Sequence, residues 1–192
     1  VDYVDRVFEI LESYADLGVR VLDHGTRLIG HVPHVAPEAW FHEIHAPLSA
    51  FEIAQLESDL GIEFPKVYAD FLQRTNGLGA FSNHLYLTGL RKSFTRKGEG
   101  VWQPFSIRTA NDVERPRKSK PSYLFVGGYE PDGSLLYIDT ASDRVYRCSE
   151  RVANPLHEWP SFEIMLETEV RRLSTLFDRA GRRLYPDRPT TP

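Results

Sequence analysis

The chain has 192 residues, 41% apolar and 26% charged, a balance that excludes a disordered polypeptide and suits one well-buried globular domain with or without an extension. Its single cysteine, Cys148, excludes an internal disulfide and a four-cysteine zinc site. No apolar run is long enough to span a membrane and the first residues show no secretory leader pattern, so a cytoplasmic location is expected.

The net charge of −4 is unevenly spread. Residues 1–72 carry thirteen acidic and four basic side chains, and the remainder carry fourteen and nineteen. Such an asymmetry can steer a charged partner toward one face, or can simply solvate helices and loops.

In chain order, Val4, Val7, Phe8, Leu11, Tyr14 and Ala15 recur at helical spacing, with Asp5, Glu9, Glu12 and Asp16 largely opposite and Gly18 as a stop. This predicts a first amphipathic helix, followed by a short strand in "VRVLDHG". Residues 26–47 mix His, Pro and apolar side chains without a clean period and read mostly as loop. Ser49 with Glu52 three residues later forms a capping box, so a second helix should run to Leu60 with Ile53, Leu56 and Leu60 buried. Gly61 ends it, and Pro65 suits the first turn of a third helix whose Val67, Tyr68, Phe71 and Leu72 share a face. Asn76-Gly77 can supply the left-handed stop.

The pattern then turns to strands. "HLYLTGL" alternates at Leu85 and Leu87, and "VWQPFSI" reads as a strand broken at Pro104. "TANDVERPRKSKP" reads as a surface connection with a short helical turn. Tyr123–Val126, Leu135–Ile138 and Val145–Cys148, separated by Glu-Pro-Asp-Gly and Thr-Ala-Ser-Asp, predict an antiparallel meander. Ser161 caps a last helix in which Phe162, Leu166, Val170, Leu173 and Phe177 share a face. Helices, a block of strands and a closing helix together predict an α+β fold, with helices packed on or around a largely antiparallel sheet.

Reactive constellations are sparse. Five of seven histidines fall at positions 24–45, and the pairs His31/His34 and His42/His45 are spaced i, i+3. A zinc site needs three or four converging ligands, and the i, i+4 spacing of the metalloprotease motif is missing. A metal-dependent hydrolase built on His24–His45 is therefore a minor alternative. There is no Gly-x-Ser-x-Gly elbow and no phosphate-cradling loop. Cys148 ends an apolar strand and reads as a buried side chain. Basic segments lie at 91–97, 115–120 and 181–183, but a pI near 6 argues against direct nucleic-acid binding.

The ordered set "LGIEFPKVYADFLQRTNG", "LYLTGL", "YEPDGSLLYIDTASDRVYR" and "WPSFEIMLETEVRRL" resembles the SUKH superfamily, which holds the yeast cell-wall-synthesis regulator and bacterial toxin-immunity proteins. The family pattern maps onto Leu60, Gly61, Pro65, Tyr68, Phe71, Leu72, Asn76, Gly77, Gly89, Asp132, Gly133, Trp159, Ser161 and Phe162, and covers about residues 49–177. The resemblance implies an α+β domain with a mixed sheet, no enzymatic activity, no cofactor and a scaffolding role for these positions. Residues 1–48 would be an N-terminal helix with a His/Pro-rich extension packed on the core, 49–180 the SUKH-like domain and 181–192 a mobile tail. It further implies an immunity protein that occludes a cognate protein toxin, with nucleases among the candidates, or else a regulatory interaction domain of the same fold. A carboxylate-rich surface would complement a phosphate-binding toxin, and Glu9, Glu12, Asp16, Glu57, Asp59, Glu130 and Asp132 are the candidate contacts.

Overall fold

A computed structural model describes residues 2–192. The first helix, α1 (Tyr3–Glu12), is capped by the Asp2 side chain accepting from Asp5 N, and buries Val4, Val7 and Leu11. After a tight turn, Gly18 at φ +120° leads into β1 (Val19–Val21), β2 (Arg27–His31) and β3 (Trp40–Ile44). Residues 26–47, expected mostly as loop, thus contribute two strands.

The capping box at Ser49 and Glu52 is present, and α2 (Ala50–Leu60) ends at left-handed Gly61 (φ +64°). Pro65 sits one position before α3 (Lys66–Leu72), as its N-cap rather than in its first turn. Then follow β4 (Leu78–Ala80), β5 (Leu85–Leu87), β6 (Tyr123–Gly128), β7 (Leu135–Asp139), β8 (Arg144–Cys148), β9 (His157–Trp159) and α4 (Phe162–Ser174), which the Ser161 side chain caps.

The nine strands form one sheet in sequence order, β1 to β9, and every ladder between named strands is antiparallel. Parallel pairing among the described residues is confined to the isolated bridges Gly89–Ser106 and Arg117–Val152. The stretch expected as a broken strand, 101–107, contributes only the first of these.

One face of the sheet carries the helices. Leu78, Leu87, Leu136, Ile138 and Val145 from the strands meet α1, α3 and α4 through Val7, Leu11, Tyr68, Phe71, Phe162 and Leu166. Phe162 is wedged edge-on against Tyr3, Tyr68 and Phe71, which explains why the Pro65–Leu72 segment and the start of α4 belong to one motif. The opposite face is not left to water. There Tyr123, Phe125, Tyr137 and Cys148 form a second cluster with Ala153 and Ala110. Burial pushes the Cys148 thiol up to about 12, so it stays protonated at neutral pH.

Two asparagine amides complete this framework. Asn76 does not end α3, whose C-cap is Gln73. Its Nδ2 donates to Leu90 O (2.8 Å) while its Oδ1 accepts from Leu90 N (2.6 Å), so the side chain pairs like one residue of an extra strand. Asn111, in the short wide helical turn Thr109–Val113, does the same at Phe125. Gly127 sits at the irregular step of the β6–β7 ladder, where a Cβ would lie 2.2 Å from Tyr86 O, so the Gly-Gly pair serves close strand approach.

The C-terminal segment folds back. Phe177 and Arg183 form an antiparallel bridge, and buried Thr190 accepts from Arg172 through its carbonyl at 2.7 Å.

Candidate partner-binding surfaces

Of the seven acidic candidates, four are engaged within the chain. Glu12 pairs with Arg27 of β2, and Asp59 with Arg108. Glu57 accepts from Phe64 N at 2.7 Å, holding the elbow between α2 and α3. Asp132 accepts from Ser134 N and Oγ and lies 3.2 Å from Arg147. Glu9, Asp16 and Glu130 make no ion pair within 4 Å among the described residues. The structure also folds basic residues from beyond position 72 onto the acidic first segment: Arg74 on Asp2 and Asp5, Lys92 on Glu52, Arg108 on Asp59. The charge asymmetry of the sequence is therefore partly neutralised in the fold.

The three free carboxylates do not come from one element. Glu9 lines an open groove of about 620 Å³ between the C-terminal parts of α1 and α4, with Ile10, Tyr14 and Phe177 as its apolar walls and Arg179 at its edge. Asp16 follows on the turn after α1. Glu130 stands on the β6–β7 hairpin, whose Gly133 takes a left-handed φ of +70°. That hairpin touches the β4–β5 turn, where Glu130 N donates to Asn83 O at 3.2 Å. Phe81, Ser82 and Asn83 are all left-handed (φ +54°, +51°, +60°), a run that is costly for L-residues and is pinned by Ser82 N donating to Phe41 O.

The five histidines at 24–45 do not converge at one point, although His24 and His45 share the Thr26 hydroxyl. His31 and His34 sit on the β2–β3 hairpin, the former bonded to Pro37 O, and His24 meets the carbonyl of Glu99. Glu99 also pairs with Arg20 and accepts from Asp23 N, so the 91–105 loop reaches across the sheet to the β1–β2 turn. His42 and His45, separated by three positions on and just after β3, are buried. No group of three His, Cys, Asp or Glu side chains converges to metal-binding distance among the described residues.

Burial pulls His42 down to about 3, and burial with the nearby His24 and Arg91 charges does the same for His45. Burial, then the Glu130 charge, lifts Glu43 to about 7. His45 Nε2 and Glu43 Oε2 are 3.8 Å apart, but opposite shifts leave both neutral under mildly acidic conditions, so they form no ion pair there. The consequence for stability follows from linkage. Each histidine is raised in proton affinity on unfolding, from about 3 to the ordinary 6.5, so stability is lost as pH falls below 6.5. Glu43 acts oppositely: its contribution is full below its ordinary 4.5 and is lost as pH rises to about 7. Two imidazoles outweigh one carboxyl, and His84, also lowered by burial, adds to them. Urea unfolding between roughly pH 6 and 5 should therefore show stability falling by at least about 1.4 kcal/mol per pH unit, and Glu43→Gln should steepen the fall by about as much again.

The SMI1 / KNR4 family (SUKH-1) model matches residues 47–168, from just before α2 into α4. The chain belongs to the SUKH-1 family. Comparison with curated proteins finds no match. Members of SUKH-1 are generally non-enzymatic and linked to protein–protein interaction. In this SUKH-1 chain the helix α1, the strands β1–β3 and the C-terminal segment lie outside the matched span, yet β1–β3 belong to the same sheet. The scaffold positions Gly61, Pro65, Tyr68, Phe71, Asn76, Gly77, Gly89, Gly133, Trp159 and Phe162 all fall within it. No described helix of the SUKH-1 chain is long and apolar enough to cross a membrane. Charge reasoning on the sequence missed Glu43, whose carboxyl is shifted by burial and by Glu130, far along the chain.

Proposed function

We propose that the chain is a non-enzymatic protein-binding module of the cytoplasm, an immunity protein that neutralises a cognate toxin by covering its active surface. Membership of SUKH-1 over residues 47–168 carries this reading. The free carboxylates Glu9, Asp16 and Glu130 suit a toxin whose own surface is basic, as a nuclease surface must be to hold phosphate. Occlusion needs only a complementary face and no reactive group.

Co-purification of the chain with the toxin encoded at the neighbouring locus tests it. A complex should form, and its association rate should fall as ionic strength rises, because steering by surface carboxylates is screened beyond about 8–10 Å near physiological salt. A tight complex indifferent to salt would leave occlusion standing and remove the electrostatic part. Failure of any neighbouring toxin to bind would remove both.

A further inference from the structure

On the sheet face opposite the helices, β5 and β6 meet segment 105–114 in a cleft. Tyr86 and Phe105 form its aromatic wall, their ring centroids 4.4 Å apart and tilted by 37°. Phe105 is 41% exposed. The outer part, about 250 Å³, is rimmed by Glu114, Glu130 and Glu150. An inner recess of about 90 Å³ shares the same wall and adds Thr88 and Phe125.

No Lys or Arg lines either part. Glu114 and Glu130 have no ion pair within 4 Å among the described residues, and Glu150 meets only its chain neighbour Arg151 at 3.4 Å. Field from Glu130 is felt inside the cleft: it adds to the burial that pushes the Tyr86 phenol up to about 12. Thr88 is 7% exposed, and its Oγ1 has no hydrogen-bond partner. Two residues on from Tyr86, it projects to the same side of the sheet. A buried hydroxyl left unmatched is unfavourable, and a ligand able to bond it would recover that loss.

The cleft thus asks for a cation at its rim, a flat body against Phe105 and a hydrogen-bond donor at its base. We propose that it receives an arginine side chain of the protein partner. The planar guanidinium stacks on the Tyr86–Phe105 wall, donates to Thr88 Oγ1 and turns its other N–H groups toward Glu114 and Glu130. Lysine offers the charge without the plane or the fork of donors. This rests on the partner-binding reading and names the seat of contact.

N-acetyl-arginine amide is the probe, titrated into the full chain and followed by NMR at Thr88, Tyr86 and Phe105. Saturable shifts in the millimolar range are expected, with the neutral isostere N-acetyl-citrulline amide binding about tenfold more weakly. Thr88→Val, which keeps the shape and removes the hydroxyl, and Glu114→Gln/Glu130→Gln should each weaken the arginine probe. Absence of saturable shifts, or equal response to both probes, would overturn the proposal. Arginine binding with toxin affinity unchanged in Glu114→Gln/Glu130→Gln would overturn the cleft as the partner's seat and leave the immunity reading intact. Arginine binding by a chain that forms no toxin complex would uphold the cleft chemistry and sink the immunity reading.

Discussion

Replacing Arg172 with methionine is expected to lower the unfolding free energy by about 3 kcal/mol, the low end of the range for stranding one member of a buried ion pair, because Glu169 is buried but Arg172 is part-exposed. Glu169 lies on the inner side of α4 with its side chain almost wholly buried. Its carboxylate accepts from Arg172 Nε (2.9 Å) and Nη2 (2.7 Å) and from the Tyr129 hydroxyl (2.8 Å). Arg172 Nη2 also donates to Thr190 O, so one guanidinium joins the last helix, the end of β6 and the C-terminal segment. Without it the buried carboxylate keeps a single donor, the Tyr129 hydroxyl. The effect belongs to the pair, not to the volume removed. Glu169→Leu combined with Arg172→Met should therefore lose clearly less than Arg172→Met alone, although the Tyr129 hydroxyl then lacks its acceptor. Urea unfolding of both variants measures the difference, and a double variant at least as destabilised as Arg172→Met alone would contradict the arrangement.

Gly89→Ala should destabilise by about 3 kcal/mol, at the upper end for overpacking, because the obstacle is largely backbone. A Cβ at this position would lie 2.3 Å from Asn76 Oδ1 and 2.7 Å from Asn76 O. Moving the Asn76 side chain aside would release both of its bonds to Leu90, and the carbonyl would still be in the way. Asn76→Ala tests this ordering. Alone it should be destabilising through the unmatched Leu90 N–H and C=O. Added to Gly89→Ala it should restore little, since the 2.7 Å carbonyl contact persists. Full rescue would show that the clash is only with the side chain.

Where local signals act alone, the sequence was readable. The Ser49/Glu52 box, the stop at Gly61, the β6–β8 meander and the Ser161 cap need only near neighbours. The strands β2 and β3 were missed because both of their faces are covered. Leu28, Ile29 and Gly30 are consecutively buried, as are Phe41 and His42, so the polar-outward alternation of a half-exposed strand is absent. Left-handed Gly30 also interrupts the strand pattern of β2. The role of Asn76 depends on Leu90, fourteen residues away, and an Asn-Gly pair after a helix reads first as a stop. For the candidate surface, composition located carboxylates but not their partners. Glu12 and Asp59 look like Glu9 and Asp16 until Arg27 and Arg108 are placed beside them.

Whether the chain grips its target or acts on it is read most directly from the end point of a titration. Toxin activity is measured while purified chain is added to a fixed amount of the neighbouring-locus toxin. A binder that occludes should abolish activity at a fixed stoichiometric equivalence, and activity should return when the complex is dissociated. Complete and irreversible inactivation by a small fraction of an equivalent would mean turnover, and would contradict a function built on contact alone.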